Sequence, residues 1–179
     1  MVGKTTDLCD ACEGARAANL YFRGFGLRRA FAGAIRTVLY RDGFSLVRDA
    51  VHQSGHGKVL VIDGAGQATG ALFGDVMAGI AARNGWAGVV VNGAIRDTAE
   101  IDTMDIGVKA LGTLPNRASL RNPGEMDLEV RFGDIAFPPG AWLVADEDGV
   151  VVLPPGLTGA DIDISQALKA TALYAAGAA

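Results

Sequence analysis

The sequence predicts an α/β fold in one domain spanning residues 1–179, and three observations carry that prediction. Half of the 179 residues are hydrophobic, enough to bury one sizeable core. The middle third alternates apolar runs of strand length with helical patterns: "KVLVIDG", residues 75–84, "AGVVVNG", residues 98–104 and "GVKALGT". That is the β-α-β-α-β order of a mainly parallel sheet with right-handed crossovers. The last third, "MDLEVRFGDIAFPPGAWLVADEDGVVVLP", holds short runs rich in Val, Ile, Phe and Trp split by Gly133, Pro138-Pro139-Gly140 and Asp146-Glu147-Asp148-Gly149. Such spacing reads as an antiparallel meander able to curl into a small barrel.

Thr6 or Asp7 is placed to cap a short first helix through "DLCDACEG". "FAGAIRTVLY" alternates as a strand does, and "SLVRDAVHQ" reads as a helix with Leu46, Val47 and Val51 on one side, closed by Gly55. "KVLVIDG" is apolar throughout, the kind of strand that is buried on both faces. A loop, "AGQATGALFG", then leads into the helix at 75–84, and a final helix is expected over 158–175, ahead of an Ala/Gly tail.

The formal net charge of -4 offers no electrostatic footprint for nucleic acid. Arg23, Arg28, Arg29, Arg36 and Arg41 come nearest to a basic patch, in a stretch broken by glycines and aromatics. The N-terminus has no apolar signal region, and no run reaches the roughly 18 apolar residues of a membrane span, so a cytoplasmic protein without membrane contact is expected. Cys9 and Cys12 form a lone C-x-x-C, and a zinc site needs a second ligand pair. His52 and His56 do not supply it, because Ser54 and Gly55 make one shared helical face improbable; buried thiols and two loop histidines are expected.

The glycines of "VIDGAGQATG", at 64, 66 and 70, follow a buried strand but miss the G-x-G-x-x-G spacing of a dinucleotide loop by one residue. The next strand also carries Asn92 where such a site needs an acid. These glycines are expected to serve a sharp turn or a close backbone approach.

"GDVMAGIAARNGWAGVVVNGAIRD" raises a different possibility. Gly74, Asp75, Val76 and Met77 lie at a helix start, where backbone N–H groups favour an anion such as a substrate carboxylate. Asp75 also fits as a plain N-cap. Asp97-Thr98-Ala99-Glu100 matches a capping box for the next helix. Capping gives no reason for Arg96, which follows an apolar strand at the C-terminal edge of a parallel sheet, where open α/β sheets bind ligands. The topology predicts that Asp75, the amides of 74–77, Arg96 and Asp97 surround one cleft.

The spacing of Asp75, twenty residues, then Arg96-Asp97 resembles the D-x20-R-D motif of class II pyruvate aldolases of the 4-hydroxy-4-methyl-2-oxoglutarate type. Those enzymes are similar throughout to the proteins called regulator of ribonuclease activity A. "TTDLCDA", "FAGAIRTV", "VLVIDGAG", "ALFGDVMA", "DIGVKALGTLPNRA" and "PPGAWLVADEDGVVVLP" extend the resemblance over nearly the whole chain. It implies a sandwich or barrel of the swivelling phosphohistidine-domain type, assembled as a homotrimer or hexamer. It also implies that Asp97 binds a divalent metal, Mg2+ or Mn2+, and that Arg96 binds the keto oxygen of a small 2-oxo acid. Gly74, Asp75, Val76 and Met77 would bind the substrate, with Asp75 holding metal-bound water or aiding proton transfer. Retro-aldol cleavage to pyruvate and oxaloacetate decarboxylation then share one pyruvate enolate, with no Lys nucleophile.

The base for the aldol step is not identified by the resemblance, and Glu125, Glu129 and Glu147 are the acidic candidates. The longer aldolases carry a C-terminal extension that this chain, ending soon after "LKATALYAAGAA", is expected to lack. The alternative function is that of a non-enzymatic partner that inhibits an RNA-degrading endonuclease. A menaquinone methyltransferase, another label in this family, needs an S-adenosylmethionine site that the off-register glycines do not supply.

Overall fold

The computed structural model describes residues 3–40, 45–66, 69–118 and 124–163. Its first half runs α1 (Thr5–Ala11), β1 (Arg16–Ala17), β2 (Arg23–Phe25), β3 (Phe31–Leu39), α2 (Ser45–His52), β4 (Val59–Asp63), β5 (Ala71–Phe73) and α3 (Asp75–Arg83). The second half runs β6 (Gly88–Ile95), α4 (Thr98–Ile101), β7 (Gly107–Thr113), β8 (Glu125–Met126), β9 (Val130–Phe132), β10 (Ile135–Phe137), β11 (Trp142–Ala145) and β12 (Val150–Val152).

β3, β4, β6 and β7 lie side by side and parallel, and antiparallel strands extend this sheet at both edges, in the order β1-β12-β11-β3-β4-β6-β7-β2. Every residue of β4 and β6 is buried, so alternation decides which layer each side chain joins. Leu60, Ile62, Val89 and Val91 meet Val47, Ala50 and Val51 of α2, Ala78 and Ala81 of α3, and Ile101 of α4. Val59, Val61 and Val90 face the opposite layer, closed by Phe132, Ile135 and Phe137 of the β9–β10 hairpin and by Leu143, Ala145, Val150 and Val152. Burying one such aliphatic side chain contributes about 1.5–3 kcal/mol, more than a typical hydrogen bond, so these two layers set the strand register.

Several expectations are revised. α1 begins at Thr5 with Lys4 at the N-cap and no side-chain cap, so Thr6 and Asp7 lie inside the helix. Cys9 is exposed, and Cys12 is buried at the helix's C-terminal boundary. β5 forms where a loop was expected, because it finds an open edge on β6. α4 stops at Ile101, short of 104. The last third makes two hairpins instead of one meander: β9 pairs with β10, β11 pairs with β12, and β11 adds to β3. Pro138-Pro139 follows β10 directly and cannot donate to a ladder, which separates the two hairpins. Residues 158–163 are not helical but turn at 159–161, with Asp161 accepting from the Thr158 amide and hydroxyl; the rest of the helix expected to 175 lies outside the described residues.

Two of the arginines are committed to carboxylates. Arg28 binds Asp105 through Nε and Nη2, each at 2.8 Å, and Arg36 binds both oxygens of Asp127. No helix among the described residues is long and apolar enough to cross a membrane.

Leu8 docks α1 onto Val144, Val151 and Leu153, and Asp146 ties the helix down. The Asp146 carboxylate accepts from the Thr5 amide and hydroxyl, each at 2.7 Å, and from the Asp148 and Gly149 amides. Burial pushes this carboxyl up, but these donors outweigh it and hold it below its ordinary range. A depressed carboxyl adds stability that is complete above the unfolded-state value of about 3.9 and is lost as pH falls through the folded value. Asp146→Ala should therefore cost about 1–3 kcal/mol at pH 7, with the deficit shrinking below about pH 4, as urea unfolding at the two pH values will measure.

Candidate functional site

The site is assembled where two parallel strands end together. β5 pairs with β6 so that Phe73 stands opposite Ile95, and the residues that follow, Gly74-Asp75 and Arg96-Asp97, leave the sheet side by side. The Arg96 amide donates to the Phe73 carbonyl at 3.0 Å. Gly74 has an ordinary extended backbone, φ -155°, so conformation does not demand glycine there, and what a side chain would meet is the Arg96-Asp97 pair. A Cβ would come within 2.9 Å of Asp97 Oδ2 and 3.3 Å of Arg96 Cγ. Arg96 Nε and Asp97 Oδ2 form an ion pair at 3.0 Å with both side chains about one-third exposed.

Neither capping expectation holds as stated. Gly74 occupies the N-cap of α3, and Asp75 is the first helical residue, where its charge favours the helix dipole without capping it. Asp97 stands at the N-cap of α4, but in the left-handed region, φ 56° and ψ 42°, and its side chain bonds no backbone amide. The capping box is not made, because this backbone turns the carboxylate toward Arg96. A non-glycine residue held in this region costs on the order of 1–3 kcal/mol, and such residues cluster at functional sites.

One cavity of about 310 Å³ is lined by Gly74, Asp75, Val76, Met77, Arg96 and Asp97 together, as the topology predicts. Phe73 and Ile80 add apolar wall. Three further residues enter unforeseen: Arg48, His52 and Arg117. Arg48 and His52 are one turn apart on α2, a spacing that puts them on one face and was available as a signal. His52, within the expected helix "SLVRDAVHQ" though also read as a loop histidine, ends the helix, with Nδ1 2.7 Å from the Arg48 carbonyl oxygen. Arg117 arrives through a tertiary contact: Ala71 of β5 bonds the Asn116 carbonyl and the Ala118 amide on either side of it. None of Glu125, Glu129 and Glu147 lines this cavity, and Glu129 pairs with Arg131 at 2.7 Å.

The glycine-rich loop serves the backbone. A Cβ on Gly64 would strike Leu72 Cδ1 at 2.2 Å, and one on Gly70 would strike the Ala118 amide nitrogen at 2.6 Å. Asn92 donates to Asp63 Oδ1 at 2.7 Å, and the same oxygen accepts from the Ala65 amide, so the polar pair at this bend is satisfied internally. Among the described residues no three His, Cys, Asp or Glu side chains are grouped to hold a metal ion, and Asp75 and Asp97 are the two carboxylates on the cavity wall.

The family model described as Aldolase/RraA, of the RraA-like group, matches residues 5–152, which include both halves of the site. The chain belongs to the Aldolase/RraA family. A relative from Alkalilimnicola ehrlichii, named "Putative 4-hydroxy-4-methyl-2-oxoglutarate aldolase", is 48% identical over 149 residues, 83% of this chain and 92% of its own. One from Dechloromonas aromatica with the same name is 45% identical and is covered in full by 88% of this chain. Among solved structures of this RraA-like type, the RNA-processing inhibitor RraA from Thermus thermophilis superposes with a TM-score of 0.81 at 40% identity, over 88% of this chain and 98% of that one. A Geobacillus kaustophilus structure, titled as S-adenosylmethionine: 2-dimethylmenaquinone methyltransferase, has a TM-score of 0.82 at 43% identity, over 84% and 94%. The mixed α/β fold with its curled sheet is thus the RraA-like fold.

The geometry separates two substitutions. Gly70→Ala should destabilise by about 1–3 kcal/mol, because the new methyl would meet the Ala118 backbone at 2.6 Å, which cannot move aside as a side chain can. Asp97→Gly removes no capping bond and relaxes a left-handed backbone, so it should cost less than about 1 kcal/mol. Urea unfolding of both variants ranks them, and the reverse order would contradict this packing.

Proposed function

We propose that this protein is a divalent-metal-dependent carbon–carbon lyase for 2-oxo acids. It cleaves 4-hydroxy-4-methyl-2-oxoglutarate to pyruvate and decarboxylates oxaloacetate through the same enolate. The observation that carries the reading is the meeting of Arg96, Asp97 and the α3 N-terminus in one cavity of a chain whose relatives bear aldolase names.

Each residue has a task the chemistry requires. The first turn of α3 leaves its N–H groups without intrahelical partners, and those of Asp75, Val76 and Met77 receive the substrate's C1 carboxylate. The Arg96 guanidinium donates to the C2 oxygen, and this bond strengthens as charge builds there on the way to the enolate. Asp75 orients water for proton transfer at the head of the helix. Phe73, Met77 and Ile80 give the cavity an apolar wall beside these groups, with Val76 exposed at its rim.

Carboxylate oxygens at Asp97, with Asp75 on the same cavity wall, are hard donors that suit a cation keeping most of its water, so Asp97 would hold Mg2+ or Mn2+. When bound, that cation supplies Lewis-acid stabilisation of the enolate. The working assembly we propose is a homotrimer or hexamer.

A second reading, inhibition of an RNA-degrading endonuclease, is favoured by the likeness to the Thermus inhibitor. The two roles are compatible.

Pyruvate release from oxaloacetate, corrected for catalysis by free metal, tests the enzyme. Turnover should require Mg2+ or Mn2+, stop with EDTA and be abolished in Asp97→Ala. Arg96→Lys should lose about 10²–10³-fold in kcat, because an ammonium does not reproduce the guanidinium's fork. Turnover no greater than free metal gives would leave endonuclease inhibition as the function.

A further inference from the structure

Retro-aldol cleavage makes a demand that decarboxylation does not: the C3–C4 bond breaks only as the C4 hydroxyl becomes a carbonyl, so something must take that hydroxyl's proton. We infer that His52 is this proton acceptor. The inference rests on the lyase reading above and names the group it leaves unassigned.

His52 lines the cavity that holds Arg96 and Asp97, as the last residue of α2, and it is the one imidazole among the described lining residues. Its Nδ1 lies 2.7 Å from the Arg48 carbonyl oxygen. A carbonyl oxygen can only accept, so the tautomer that makes this contact carries its proton on Nδ1 and leaves the Nε2 lone pair available to accept one. The same bond fixes the ring against the end of α2, as the orienting partner of a general base does.

The carboxylates in the cavity are otherwise placed. Asp97 Oδ2 is paired with Arg96 at 3.0 Å, and Asp75 sits in the first turn of α3 beside the amides assigned to the substrate. The acids read from the sequence as candidate bases, Glu125, Glu129 and Glu147, do not reach this cavity.

The step balances without a co-reactant. Nε2 takes the proton of the C4 hydroxyl, the C4–O bond becomes a carbonyl, and the C3–C4 bonding pair moves into the C2–C3 enolate under Arg96. Water protonates C3 to give pyruvate, and the imidazolium, exposed at the helix end, returns its proton to solvent. Oxaloacetate loses CO2 to the same enolate with no hydroxyl to deprotonate.

The test compares wild type with His52→Gln on both substrates, with Mg2+ and in the same preparation. The readout is the ratio of kcat for cleavage of 4-hydroxy-4-methyl-2-oxoglutarate to kcat for oxaloacetate decarboxylation. That ratio should fall about 10²–10⁴-fold, and imidazole added to His52→Ala should restore part of the cleavage. An unchanged ratio, whether both rates fall together or neither falls, overturns the role of His52 while leaving the lyase intact. A wild type that decarboxylates but does not cleave overturns it equally. A wild type with no metal-dependent turnover of either substrate removes the lyase reading, and the role of His52 with it.

Discussion

The short parallel pairing of β5 with β6 is the contact on which the site depends. It sets Phe73 opposite Ile95, so two segments twenty residues apart in the chain leave the sheet at one point. Gly74 completes the arrangement by lacking a side chain where Asp97 needs the space. Remove that pairing and the parallel strands keep their layers, but the helix N-terminus and the Arg96-Asp97 pair have no reason to meet. β4 and β5 both pair with β6 opposite to β7, one after the other, and the glycine-rich loop is the detour between them.

The scaffold makes that edge possible by burying both faces of β4 and β6. Three helices cover one face, and the curled antiparallel half of the sheet with the β9–β10 hairpin covers the other. In β4 and β6 charge is confined to the strand ends, where backbone groups run out of ladder partners and side chains such as Arg96 and Asp97 are partly exposed. Asp97 shows the tension between local and global preference most clearly. Its sequence neighbours spell a capping box, yet the chain holds it left-handed and turns the carboxylate to Arg96.

The parallel core was legible because "KVLVIDG" and "AGVVVNG" have the composition of doubly buried strands, and α3 was legible from its start signal at Gly74-Asp75. β5 was not, since three apolar residues between glycines carry no period, and only an open edge on β6 makes them a strand. The two hairpins of the last third were visible as strands, but which strand β11 joins is a tertiary choice that local patterning does not encode. In the site, Asp75, Arg96 and Asp97 could be placed together from topology alone. Arg117 could not, because it reaches the cavity through β5. Arg48 and His52 were within reach of a helical-face argument, since the expected helix "SLVRDAVHQ" already held both.

α2 divides its loyalties by side. Val47, Ala50 and Val51 belong to the core, whereas Arg48 and His52 stand exposed at the cavity. Exchange at an exposed helical position usually alters stability by no more than about 0.5 kcal/mol, while the same exchange at a buried one costs several times that. Selection can therefore revise one wall of the cavity without disturbing the strand edge that forms its floor. A lineage built on this scaffold is free to change what the cavity accepts while inheriting the fold intact.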